Sequence, residues 1–201
     1  MFPFLESIRL ENRQLSFMQR HQVRFVTTQQ DNWGKVHYND LSSLIIRHPG
    51  FPKDDQKYKC RVVYSPEEIS ISFITYTPRF ITRLQVVTDE QIHYRYKSAD
   101  RSRLDALTTG LPADTEILIF QNELLTDSSF SNLALFDGKD WWTPKVPLLQ
   151  GIHRGYLLDK RVIREKDITQ ADLKKFKQIR LINAMMDWNH TWELPVTAIK
   201  F

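Results

Sequence analysis

Leu125-Thr126-Asp127-Ser128-Ser129-Phe130-Ser131-Asn132 decides how this chain is read. The stretch lies between two apolar, strand-like runs, Glu116-Ile117-Leu118-Ile119-Phe120 before it and Leu133-Ala134-Leu135-Phe136 after it, so a polar cluster interrupts a buried sheet. Polar groups in such a place cost free energy unless they are hydrogen-bonded, and each side chain here needs a partner. Taken alone, the cluster reads as a satisfied turn of small hydroxyl residues. Asp137-Gly138 downstream marks a hairpin, with Thr143-Pro144 beyond it.

Upstream, residues 5–10 alternate as a strand, and Glu11-Asn12-Arg13 form a tight turn. Ser16 with Gln19 three residues on has the form of a capping box, opening a helix with Met18, His21 and Phe25 on one side and Arg24 a step away. On that pattern Arg24 is a solvated charge. Asn39 or Asp40 caps a second helix, which His48-Pro49-Gly50 ends. Strands are expected at 58–64, 69–76, 84–87 and 92–96, the last delivering Lys97. Ser65-Pro66-Glu67-Glu68 is the candidate linker between a small lobe, residues 1–65, and a larger one, 66–201. Asp100 caps a short helix closed by Gly110, and Gly151 opens another running to about residue 162. Thr169 with Asp172 makes a further capping box, and strands follow at 179–182 and 196–199. Strands and helices mixed in this order predict an α/β, or mixed α+β, fold.

With 201 residues, 41% hydrophobic and 26% charged, the chain can bury a sizeable core. No run approaches the length of a membrane helix, and the charged amino-terminal stretch is unlike a signal peptide, so a cytoplasmic protein without membrane contact is expected. The single cysteine, Cys60, excludes an intramolecular disulfide and sits in a strand pattern as an inert thiol. A net charge of +4 suits small anions better than nucleic acid. No metal site is expected, since neither His21 nor His153 has a second ligand at i+3 or i+4.

Five separated segments, in order, resemble the class IV aminotransferase-like family of pyridoxal-phosphate proteins, fold type IV. Phe4-Leu5-Glu6-Ser7-Ile8-Arg9 with His21-Gln22-Val23-Arg24 resembles its Phe-Glu-Thr-Ile-Arg strand and His-x-x-Arg helix. Tyr96-Lys97-Ser98 is similar to the lysine segment, and Thr126-Asp127 with Ser131-Asn132, thirty residues on, to Thr-Glu-Gly-x-x-Ser-Asn. Gly151-Ile152-His153-Arg154 resembles the helix start Gly-Ile/Val-Thr/Met-Arg, and Asn183-Ala184-Met185 the Asn-Ala-Leu segment of aminodeoxychorismate lyases. The likeness is greatest to short members described as 4-amino-4-deoxychorismate lyases. It departs where the usual glutamate is Asp127, a methylene shorter, the usual glycine is Ser128, and a smaller residue is Phe130.

The resemblance implies a two-lobed fold like D-amino-acid aminotransferase, a homodimer, and pyridoxal 5'-phosphate as cofactor. It makes Lys97 the catalytic Schiff-base lysine, Asp127 the partner of the pyridine nitrogen, and Arg24, with the backbone of Ile152 and His153, the phosphate ligands. Asn183 and Ala184 fall near the same phosphate. The chemistry suits these types: a lysine buried beside cations loses its proton more readily, a carboxylate keeps a ring nitrogen protonated, and phosphate favours helix-start amides and a guanidinium. The leading expectation is a lyase giving 4-aminobenzoate and pyruvate in folate biosynthesis. The alternatives are a branched-chain or D-amino-acid aminotransferase, or a non-catalytic cofactor- or RNA-binding protein using Lys174, Lys175 and Lys177.

Overall fold

In β1 (Phe4–Glu11) the side chains of Phe4, Glu6, Ile8 and Leu10 share one face, and all four are buried in the computed structural model, which describes residues 3–200. A turn with Asn12 and Arg13 at φ 51° and 59° leads to β2 (Gln14–Leu15), as the Glu11-Asn12-Arg13 reading predicts. α1 (Met18–Trp33) buries His21, Phe25 and Thr28 at helical spacing, and α2 (Leu41–Ile46) adds Leu41 and Ile45. With β3 (Tyr58–Tyr64) and β4 (Ile69–Thr75), an antiparallel sheet of order β2-β1-β3-β4 is complete. Phe4, Ile8, Phe25, Leu41, Ile45, Cys60, Val62 and Tyr64 form its core. Burial pushes the Cys60 thiol up to about 12, which makes it the inert group expected.

The chain divides into two units. The first runs to Thr77 and takes back Tyr96–Asp100; the second holds Pro78–Arg95 and the chain from Arg101 onward. The boundary expected at residues 65 and 66 therefore falls inside the first unit. Ser65 N–H donates to the Glu68 carbonyl at 2.9 Å, and Ser65 Oγ accepts from the amides of Glu67 and Glu68, so this polar stretch is the β3–β4 hairpin turn.

In the second unit β5 (Arg83–Thr88) runs parallel to β6 (Thr115–Gln121), with α3 (Ser102–Thr108) in the connection that parallel pairing requires. β7 (Leu124–Leu125) returns along β6. β8 (Asn132–Phe136) and β9 (Trp141–Pro144) make the hairpin predicted at Asp137, whose Oδ1 accepts from the Lys139 and Asp140 amides at 2.8 Å. α4 (Ile152–Asp159), β10 (Arg164–Lys166), a 3-10 turn (Gln170–Lys175), β11 (Gln178–Ile182), β12 (Trp192–Pro195) and β13 (Ile199–Lys200) complete the unit. The two sheets have orders β10-β9-β8-β11-β12 and β13-β5-β6-β7. Leu118, Phe120, Leu133, Leu135, Ile179 and Leu181 belong to one core in this unit.

Two of the expected caps form. Asp40 Oδ1 accepts from Ser43 N at 2.9 Å, and Thr169 with Asp172 closes a capping box. Two do not. α1 begins after Phe17, left-handed at φ 55°, and Ser16 Oγ instead accepts from Arg9 Nε at 3.0 Å; α3 begins after Arg101, not Asp100, with no side-chain cap. The strand expected at 92–96 is irregular chain, α4 stops at Asp159, and 196–199 is a 3-10 turn entering β13. No helix among the described residues is long and apolar enough to cross a membrane.

Candidate cofactor site

In the first unit the alternation of β1 carries Glu6 to the buried face between Phe4 and Ile8, and the i, i+3 spacing of α1 brings two basic groups to it. Arg24 donates from Nε to Oε1 at 2.8 Å and from Nη2 to Oε2 at 2.5 Å, and His21 Nδ1 lies 2.6 Å from Oε2. Arg24 is thus an ion-paired, half-buried group rather than a solvated charge. Burial raises the Glu6 pKa, but the charge and hydrogen bonds of Arg24, with those of His21, overcome it and set it at about 2. His21 is pulled below the ordinary histidine value by burial, against the stabilising Glu6, and also by the charges of Arg24 and Lys97. Its Nε2 has no hydrogen-bond partner among the described residues.

Lys97 is half-buried and belongs to the same unit. Its carbonyl accepts from Leu5 N at 2.9 Å, Ser98 bridges Phe4, and Tyr96 donates from its hydroxyl to Asp31 Oδ2 at 3.0 Å. The lysine is therefore hung from the free edge of β1, next to the residue before Glu6.

In the second unit the opening octapeptide proves hydrogen-bonded throughout. Thr126 and Asp127 continue the pairing of β7 with β6 through Ile119 at 2.9 Å, and Ser128 Oγ meets Ser131 Oγ at 3.0 Å. Glu116 Oε1 accepts from Ser129 N at 2.9 Å. Asp127 is 4% exposed. Its Oδ1 accepts from Asn132 Nδ2 at 2.7 Å and its Oδ2 from Leu149 N at 3.0 Å, while Asn132 Nδ2 also donates to the Leu149 carbonyl at 2.8 Å. These bonds close a ring that ties the carboxyl to the segment leading into α4. Burial dominates and pushes Asp127 up to about 7, although the Leu149 amide, the Asn132 amide and the Arg154 charge oppose it. Among the described residues no cation pairs with it.

Gly151 caps α4. A Cβ there would stand 1.7 Å from Asn132 Oδ1, so only glycine lets the helix start come this close. No side chain caps the first turn, which opens with Ile152 and His153. The Arg154 guanidinium, 2% exposed, is spent on structure: it donates to Thr143 Oγ1, Gln150 Oε1, the Pro144 carbonyl and Glu165 Oε1. His153 is buried, with Nδ1 2.9 Å from the Asn183 carbonyl oxygen. Asn183 Oδ1 accepts from Met185 N at 2.9 Å, which folds the half-buried Asn183 and Ala184 into a tight turn.

The sequence profile described as amino-transferase class IV matches residues 73–193. The chain belongs to the class IV aminotransferase family. An uncharacterized protein of Haemophilus influenzae is 35% identical over 185 residues, 92% of this chain and 98% of its own length. A solved structure from Haemophilus somnus 129pt, provisionally named a 4-amino-4-deoxychorismate lyase, is 29% identical with a TM-score of 0.85, covering 92% of this chain and 97% of that one. An amino-acid aminotransferase, also provisionally named, from Mesorhizobium loti superposes with a TM-score of 0.83 at 16% identity, covering 96% and 99%, and shares the fold.

Members of the class IV family are pyridoxal-phosphate proteins of fold type IV. In this class IV chain the residues singled out from sequence fall into two groups: Arg24 and Lys97 in the first unit, and Asp127, Ile152, His153, Asn183 and Ala184 in the second. Sequence reasoning missed Glu6, Asn132 and the contact that demands Gly151. Glu6 had a signal, a charge on the apolar face of an alternating strand; the other two become visible only once β8 and the start of α4 are adjacent. In the second unit the donor set fits the cofactor. The Asp127 carboxyl is buried without a cation, which suits a pyridinium, and the α4 start carries no side-chain cap, which suits a phosphate.

Proposed function

We propose that this chain binds pyridoxal 5'-phosphate and cleaves 4-amino-4-deoxychorismate to 4-aminobenzoate and pyruvate, working as a homodimer. The observation that carries the cofactor reading is Asp127: a carboxyl held by two neutral donors, raised to about 7 and lacking an ion pair, is short of one positive charge. The lyase reading is supported by the Haemophilus somnus relative, which matches nearly the whole of both chains.

When bound, the cofactor supplies an aldehyde that captures amines and a ring that withdraws electrons. Asp127 would hold a proton on the ring nitrogen, and Asn132 with the Leu149 amide keeps the carboxyl oriented. The backbone of Ile152 and His153, with Arg24, would bind the phosphate; Glu6 holds the Arg24 guanidinium in one plane by its Nε and Nη2 edge. Lys97 would hold the cofactor by its aldehyde, and its Nζ, when neutral, would serve as the base that moves a proton at the substrate carbon.

Borohydride reduction of the purified protein with the cofactor, followed by peptide mapping, is expected to place the label on Lys97. Addition of aminodeoxychorismate is expected to release pyruvate. Label on any other lysine overturns the cofactor assignment. A correctly labelled protein that releases no pyruvate, yet exchanges amino groups between an amino acid and a 2-oxo acid, overturns the lyase in favour of a transaminase.

A further inference from the structure

We infer that the His153 side chain is a positioning residue, a clamp that holds the Asn183 turn against the first turn of α4 and so sets the phosphate affinity of the chain. The inference rests on the cofactor reading above, but concerns a side chain for which that reading has no use. A donor to a carbonyl must carry a proton, so the 2.9 Å contact with the Asn183 oxygen places the hydrogen on Nδ1 and fixes the ring's orientation. The ring is 3% exposed, which leaves water little access to replace it.

Asn183 closes the turn on itself, its side chain accepting from Met185 N and its carbonyl from Met186 N at 3.4 Å, and the bond from His153 to the same carbonyl ties that turn to α4. The far end of the loop has an independent anchor. Arg180 packs against both Trp141 and Trp188, 4.5 and 4.3 Å from their ring centroids, and donates to the Trp188 carbonyl at 3.1 Å. Thr191 Oγ1 donates to the Leu181 carbonyl. Loss of the histidine therefore unties the turn from α4, leaving it held by its own bonds alone, and leaves the end of the loop in place.

Asparagine can present an N–H near the position of imidazole Nδ1, whereas leucine presents none. The experiment measures amide hydrogen exchange across residues 183–191 in the wild type, His153→Leu and His153→Asn. It also measures the binding of inorganic phosphate and of pyridoxal phosphate by tryptophan fluorescence. In His153→Leu, amides 183–186 are expected to exchange faster while 188–191 keep their rate, and both ligands to bind about fivefold to tenfold more weakly. His153→Asn is expected to recover most of both. Unchanged exchange at 183–186 overturns the clamp, as does weaker binding that the asparagine variant shares in full. If the wild type binds neither ligand, the cofactor reading and the affinity claim fall together, while the exchange rates still decide whether the clamp exists.

Discussion

Glu6 stays ionised inside an apolar core because two basic side chains complete its hydrogen bonding, not because the site is polar. Phe4 and Ile8 flank it on the same face, and its two oxygens take up Arg24 and His21. With its pKa near 2 in the folded chain against an ordinary 4.5, its stabilising contribution is fully present above about pH 4.5 and is lost as the pH falls through 2. The difference corresponds to about 3 kcal/mol. Urea unfolding of Glu6→Gln at pH 7 is expected to show a loss of that order, and its midpoint should fall less than the wild type's between pH 5 and pH 2.5. Parallel curves for the two proteins would contradict the assignment. From sequence the inward position of Glu6 was readable, since alternation fixes the face. Its partners were not, because Arg24 lies off the apolar stripe of its helix and reads as solvated until the depth of the helix is known.

At the level of elements, the site depends on how closely β8 approaches the start of α4. Asn132 opens β8, and the space a Cβ on Gly151 would need is filled by Asn132 Oδ1. That side chain cannot swing away freely, since its Nδ2 is bonded both to Asp127 and to the Leu149 carbonyl. Gly151→Ala is therefore expected to destabilise the chain by about 2 kcal/mol, as overpacking does. Combined with Asn132→Ala it should cost less than the sum of the two single changes, by about 1 kcal/mol in a double-mutant cycle read by urea midpoints. Strict additivity would show that the two residues do not compete for space. The same scale explains which elements could be read. Residues 92–96 have the alternation of a strand, with Ile92 buried and His93 exposed, but irregular chain results, because periodicity records which side is buried and not whether a sheet edge is within reach. Ser16 matched a capping pattern, but its hydroxyl was taken by Arg9 from the facing strand end, a competitor seven residues away that a four-residue motif does not contain.

For the whole molecule, the informative feature is the return of Tyr96–Asp100 to the first unit. The family was legible because its five short segments keep their order whatever the path between them, and the fold class followed from the succession of strands and helices. The excursion was not legible, since nothing local in Tyr96-Lys97-Ser98 says that it pairs with the edge of β1 rather than with the sheets on either side of it. It has a mechanical consequence. Residues 76–82 lack regular structure and Phe80 is 78% exposed, so chymotrypsin is expected to cut first after Phe80. The cut falls three residues into the second unit, but the larger fragment still carries the strip that bonds to Pro3, Phe4 and Leu5 and sets the Tyr96 ring against Phe4 at 6.0 Å. Two bands on a denaturing gel should accordingly elute as one peak on gel filtration at neutral pH. Tyr96→Ala, which loses both the ring contact and the hydroxyl bond to Asp31, should weaken that association. Separation of the wild-type fragments without denaturant would mean that the strip is not held by the first unit, and with it would go the placement of Lys97 beside β1.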